Sequence, residues 1–308
     1  MKAHRHFLLG GYLIVMMIGF SSMAEGAPQA NKPIVAVANY PLKYFTERIA
    51  GNDIRIIFPI PHDVDPAFWH PQPNEVLLFQ TADAILLNGA TYSKWLDTVT
   101  LSKRKLVNTS QAFKAEYITI EERATHRHGP QGEHAHSGLA FTTWLDFHQA
   151  ILQAEAILHT VVRLVPQKEA VFKSNYSHLK QDLLMVDQSL QQIVAQNSKP
   201  FLIASHPVYD YLKRRYGLNI RSVLWEPEEV PNAQQWEDLE TILKDYPATW
   251  MIWEGEPHPE SVAQLQLMGI KSAVFDPVGN VPEHGDFLSI MRQNIENLKA
   301  VFQQQGAE

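Results

Sequence analysis

The sequence predicts an α/β protein of two lobes, each with a mostly parallel sheet flanked by helices, joined by a long linking helix. Three observations predict it. Short β-type runs alternate with helical patterns, which argues βαβ units and parallel sheets. Four such runs fall in each half of the chain. Between the halves, apolar residues step by three or four over a stretch long enough for a helix of roughly 30 residues, ~45 Å at 1.5 Å per residue.

The runs of the first half are Pro33 to Ala38, Ile54 to Pro59, Ala84 to Asn88 and Lys105 to Val107. Those of the second are Pro200 to Ala204, Ile220 to Trp225, Thr249 to Trp253 and Ser272 to Phe275. Helical patterns lie between them, among them Val208 to Tyr216 and Ala233 to Lys244, the latter with Asn232 as N-cap. Residues 124–138 are polar and His-rich, carry Gly129, Gly132 and Gly138, and read as a loop. After Asp146 a helical tract begins, breaks at Pro166 and runs on to Asn197, with Leu179, Leu183, Val186, Leu190, Ile193 and Val194 on one face. Such a helix suits a rigid strut between lobes; a surface helix of one larger domain is the alternative. The expected division is an N-terminal lobe at 32–145 with the His-rich loop 124–138, a linking helical segment at 146–197, and a C-terminal lobe at 198–308.

Composition narrows the function. The 308 residues, 45% of them hydrophobic, suffice for two compact domains, since single cores seldom grow beyond ~250 residues. With 26 basic against 33 acidic residues the chain carries a formal charge of -7. There is no basic stripe for nucleic acid, and the mild acidity favours cationic ligands. At the N-terminus, Lys2 and Arg5 precede an apolar run from Phe7 to Phe20 and the small-x-small triplet Ser22-Met23-Ala24. This reads as a signal peptide at 1–24, cut after Ala24, because the apolar core falls short of the ~20 residues of a spanning helix; an uncleaved anchor is the alternative. The sequence has no cysteine. Disulfides, thiolate ligands and a lipid-bearing cysteine are therefore not expected, and the localisation expected is periplasmic, not as a lipoprotein. A soft-metal site must then use His with carboxylates in support.

In parallel sheets, ligands bind beyond the carboxyl ends of the strands. Reading past each strand of the second half gives His206, Glu226, Glu254 and Asp276. Any one alone is ordinary; four together point to a cation site. The first half offers His62 and His70 in IPHDVDPAFWHPQP. The loop holds His126, His128, His134 and His136, a composition with metal affinity. It reads equally as a solvated segment titrating near ~6.5. No HExxH, Walker loop, GxGxxG after a strand or nucleophile elbow occurs.

The motifs VDPAFWHPQPNEV, ADAILLNGATYSKWL, TTWLDFHQA, ASHPVYDYLKRRYGL and VFDPVGN, in this order, resemble the solute-binding proteins of zinc and manganese ABC transporters, the group with a rigid linking helix. The resemblance covers essentially all of the chain after the leader. It implies metal in the cleft between two lobes, held by three histidines and one carboxylate. His206 matches the third histidine and Asp276 the acidic ligand. The histidine that follows Asp-Pro in the family is Ala67 here, and the one two residues before Trp-Leu is Thr142. Two ligands rarely hold zinc tightly. The favoured set is therefore His206 and Asp276 with the loop pair His134 and His136, while His62, His70 and Glu254 are the rival completions and His126 and His128 lie further off.

The expected function is capture of zinc and delivery to the membrane permease of an ABC importer by a monomer that does no chemistry. A His-rich site favours zinc over the harder manganese. A zinc chaperone or buffer without a transporter is the first alternative. A metal-dependent hydrolase is the second; it would need an open coordination position and a general base such as Glu254.

Overall fold

The structure, a computed structural model, describes Met1, residues 32–120, 138–195 and 200–303, and the backbone of 125–127 and 133–135. The rest of the expected leader at 1–24 lies outside the described residues. The first half contains β1 (Ile34–Val37), α1 (Tyr40–Ala50), β2 (Arg55–Ile57), α2 (Pro73–Thr81), β3 (Ala84–Leu87) and β4 (Leu106–Asn108). The strands form one parallel sheet of order β2-β1-β3-β4. Next come β5 (Thr119–Ile120), β6 (Thr125–Arg127), β7 (Glu133–Ala135) and β8 (Gly138–Leu139). β5 pairs with β8 and β6 with β7, both antiparallel. The segment read as a loop thus contains a short ladder, in which His126 stands opposite His134.

The spine follows. Asp146 caps α3 (Phe147–Leu164), its carboxylate accepting from the backbone N–H of His148 and Gln149. A 3-10 turn at Pro166–Lys168 breaks the tract where proline removes a helical donor. Then α4 runs over Glu169–Ala195, 27 residues. The six apolar residues expected on its inner face are all buried.

The second half repeats the first. It contains β9 (Phe201–Ala204), α5 (Asp210–Tyr216), β10 (Asn219–Ser222), α6 (Ala233–Asp245), β11 (Trp250–Trp253), α7 (Pro259–Leu267), β12 (Lys271–Val274) and α8 (Phe287–Gln303). Its parallel sheet has the order β10-β9-β11-β12, the same pattern as the first. Asn232 caps α6 in a reciprocal pair with Gln235.

Alternation along the strands explains the layers. Val35 and Val37 of β1, with Leu202 and Ala204 of β9, face one continuous core shared with α1, α3, α4 and α8. Ala36 and Ile85 point the other way, into a smaller cluster under α2. Ile203 and Met251 do the same in the second sheet, into a cluster with Leu239 and Leu265. Both faces of each sheet are covered, as parallel sheets require. In both sheets the winding reverses between the two central strands, β1 and β3 in one, β9 and β11 in the other. Ligands gather beyond strand ends at such points.

Candidate metal centre

His206 lies two residues past β9 and is 1% exposed. Its Nδ1 is 3.0 Å from the Trp225 carbonyl oxygen and 3.1 Å from Glu254 Oε1. With its proton on Nδ1, donated to the carbonyl, the ring leaves Nε2 as a lone-pair donor, the arrangement typical of a metal-binding imidazole. Nε2 is 3.6 Å from Glu226 Oε1. Glu226 reaches this level because the chain past β10 keeps bonding along β9: Val223 N–H donates to the Ala204 carbonyl and Trp225 N–H to that of Ser205, both at 2.9 Å. One donor atom each from His206, Glu226 and Glu254 lie within 4.8 Å of one another, a spacing one metal ion can span.

Glu254 directly follows β11. Burial, then the nearby carboxylates of Asp65, Glu226, Asp276 and Glu228, hold its carboxyl well above the usual carboxylate range. Asp276, two residues past β12, is also raised by burial, an effect opposed by the Val278 N–H that its Oδ1 accepts at 2.6 Å. Asn294 clamps the Asp276 backbone from both sides, at 3.0 and 2.7 Å. Val278 holds a φ of 58°, a left-handed conformation costly for a β-branched side chain. So many carboxylates in one place call for a cation.

These groups open onto a cleft of about 650 Å³. Its second-lobe wall includes Glu226, Glu228, Glu229, Glu254 and Asp276. Its first-lobe wall is aromatic, with Phe68, Tyr92, Phe141 and Trp144. His62 and Asp65 also line it. His70 is exposed and does not line the cleft. Ala67 is buried, and the Thr142 hydroxyl donates to the Val208 carbonyl at 2.5 Å. The backbone of His134 is in β7; its side chain, that of His126, and all of His128 and His136 lie outside the described residues. Sequence reasoning reached Glu226 as the residue after the run Ile220 to Trp225 but left it out of the ligand set; the observed strand ends earlier, at Ser222. That reasoning passed over Asp65 and Tyr92.

Two lobes on a helical spine, with a histidine and carboxylates at the strand ends of the cleft, define the solute-binding class. The chain belongs to the family of the zinc-uptake complex component A, periplasmic, or ZnuA, whose model matches residues 35–301. It is 22% identical over 311 residues to the zinc-binding lipoprotein AdcA of Streptococcus pneumoniae, a match spanning 97% of this chain and 61% of that one. This chain thus spans about three-fifths of the length of that relative. It is 23% identical over 301 residues to the metal ABC transporter substrate-binding lipoprotein FimA of Streptococcus parasanguinis, covering 92% of this chain and 94% of FimA. The Zn(II)-bound ZnuA-like domain of S. pneumoniae AdcA superposes with a TM-score of 0.74 at 20% identity, over 89% of this chain and all of that one; this likeness is one of fold.

These names correct one expectation. AdcA of S. pneumoniae and FimA are both named lipoproteins, so the expectation that the product is not a lipoprotein does not stand. It rested on residues 1–24 and on the cysteine content.

Proposed function

We propose that this protein binds zinc in the cleft and delivers it to the permease of an ABC importer, with no catalytic step. The observation that carries the reading is the meeting of His206, Glu226 and Glu254 donor atoms at the ends of adjacent parallel strands. His206 is the central ligand, Glu226 and Glu254 complete a second-lobe triad, and Asp276 adds charge from the next strand. Family membership and the zinc named for AdcA support the choice of ion. The lobes of this reading are 32–145 and 198–308, with 146–197 as the spine.

Calorimetry with zinc tests it. One ion should bind per chain, and His206→Ala should weaken binding by at least a hundredfold, the upper range seen when even an outer partner of a ligand is lost. A variant that keeps wild-type affinity would overturn the site. Uptake by the permease reconstituted with and without this protein tests delivery.

A further inference from the structure

The two walls of the cleft are chemically unequal. On the second-lobe side stand one imidazole and a group of carboxylates. On the first-lobe side, among the described residues, the places where the family has histidines hold a buried methyl group, Ala67, and a hydroxyl already committed to a carbonyl, Thr142. That side is a continuous aromatic surface. Phe68 stacks edge-on against Phe141 at 6.3 Å, Phe141 against Tyr92 at 5.3 Å, and Tyr92 against Trp144 at 5.7 Å between centroids.

Tyr92 is the odd member. It is 2% exposed, yet among the described residues its hydroxyl has no hydrogen-bond partner, and a buried polar group left so costs about 1–3 kcal/mol. The hydroxyl lies beside Gly279, another residue that lines the cleft, where an added Cβ would stand 3.7 Å from it. The chain reaches Tyr92 through three successive left-handed residues, Gly89, Ala90 and Thr91, with φ of 81°, 47° and 57°. At Gly89 a Cβ would collide with Ser110, Asn108 and Tyr117. Backbone strain and an unmet donor therefore coincide at one point of the wall.

The volume fits neither a bare ion nor a wall without purpose. About 650 Å³ lies in the range of small-molecule sites, about 300–1,000 Å³. Among the described residues, the second-lobe triad also leaves a tetrahedral ion one ligand short.

We propose that the cleft takes its divalent ion together with a small organic chelator that carries a nitrogen donor and a carboxylate, of the amino-acid class. The second lobe holds the ion, and the aromatic wall holds the chelator. The chelator's nitrogen fills the open coordination position, and the Tyr92 hydroxyl donates to its carboxylate. A divalent ion with one such anion is singly positive, which the acidic wall attracts; a polyanionic chelator would be repelled. This rests on the metal-capture reading and names the form of the cargo.

Equilibrium dialysis with zinc and labelled L-histidine tests it. One histidine should be retained per chain when zinc is present and none without it. Tyr92→Phe, which removes one oxygen and keeps the ring, should weaken histidine retention about tenfold, as loss of one charge-assisted hydrogen bond does, and leave retention of zinc alone unchanged. If zinc is retained and histidine is not, or if Tyr92→Phe retains histidine as well as wild type, the proposal is overturned. It is equally overturned if zinc alone binds tightly and the double variant His134→Ala, His136→Ala loses it, since the loop then completes the site. If zinc is retained neither alone nor with histidine, the metal-capture reading itself falls.

Discussion

His206 Nε2 faces Glu226 Oε1 across 3.6 Å. The gap is too long for a hydrogen bond. It is close to the roughly 3.4 Å that separates two ligands on one tetrahedral ion with bonds of about 2.0–2.1 Å. The ring is fixed on its other side by the Trp225 carbonyl. Both partners are thus near ligand spacing before an ion arrives. Such preorganisation lets the second lobe bind first, with little ordering left to do.

Glu254 should weaken the metal-free fold that it serves. Its carboxyl is raised by burial and by its acidic neighbours. A carboxyl raised in the folded state subtracts from stability above its unfolded value, about 4.3, and the penalty fades as pH falls to that value. Glu254→Gln keeps the shape and removes the charge. At neutral pH the variant should melt higher without metal, by about 2–4 °C for each kcal/mol relieved. It should also lose most of the melting shift that zinc gives the wild type. Calorimetric scans of both proteins, with and without zinc, read this; a lower metal-free melting point would show that the carboxylate is structural.

Metal uptake should release protons. Ligands bind in their deprotonated forms, so zinc displaces a proton from any imidazole or carboxyl that holds one. Zinc affinity should fall as pH drops through about 6.5, the ordinary histidine value. Titrations in buffers of different ionisation enthalpy count the protons. Constant affinity from about pH 7.5 to 5.5 would overturn the expected coupling of metal uptake to proton release.

The spine supplies a control. Asp187 on α4 is 4% exposed and accepts from Arg215 Nε and Nη2 at 3.0 and 2.7 Å, and from the Tyr216 hydroxyl at 2.8 Å. Breaking a buried pair on one side costs about 3–5 kcal/mol. Asp187→Asn should therefore lower the melting point by roughly 6–20 °C. Zinc stoichiometry and affinity at 25 °C should not change, because Asp187, Arg215 and Tyr216 do not line the cleft. A loss of affinity equal to that of His206→Ala would mean that the site depends on the α4–α5 joint.

Much of this was legible in the sequence, and the exceptions have physical causes. All eight strands of the two parallel sheets were marked by apolar runs between helical patterns, and their ends shift by at most three residues. His206, Glu254 and Asp276 could be read because each follows its strand within two residues. Glu226 was reached by the same reading, since its run was carried on to Trp225, but its approach to His206 depends on the added ladder bonds of Val223 and Trp225, which no local pattern announces. Tyr92 was hidden for another reason. Left-handed turns are usually signalled by glycine or asparagine, and here Ala90 and Thr91 adopt them unmarked. The aromatic wall is a tertiary product of segments near 68, 92 and 141–144, far apart in the chain.

Asn280 joins the two halves at the mouth of the cleft, and its removal should speed metal release. Its side-chain N–H groups donate to the carbonyls of Pro61 and Val64 at 2.6 and 2.7 Å. It therefore ties the segment after Asp276 to the first-lobe loop that carries Asp65. The Trp144 indole, donating to the Pro277 carbonyl at 2.7 Å, holds the same joint deeper in. Asn280→Ala deletes both outer bonds. One bond is exposed and the other part-buried, so the fold should lose only about 1 kcal/mol. If the joint keeps the cleft closed over its cargo, opening becomes easier by a similar amount. The dissociation rate should then rise about fivefold, while association, set by electrostatic attraction to the acidic wall, stays within twofold. Stopped-flow release of zinc into an excess of chelator measures the first, and mixing with zinc the second. An unchanged release rate would show that the lobes do not part at this edge when the ion leaves.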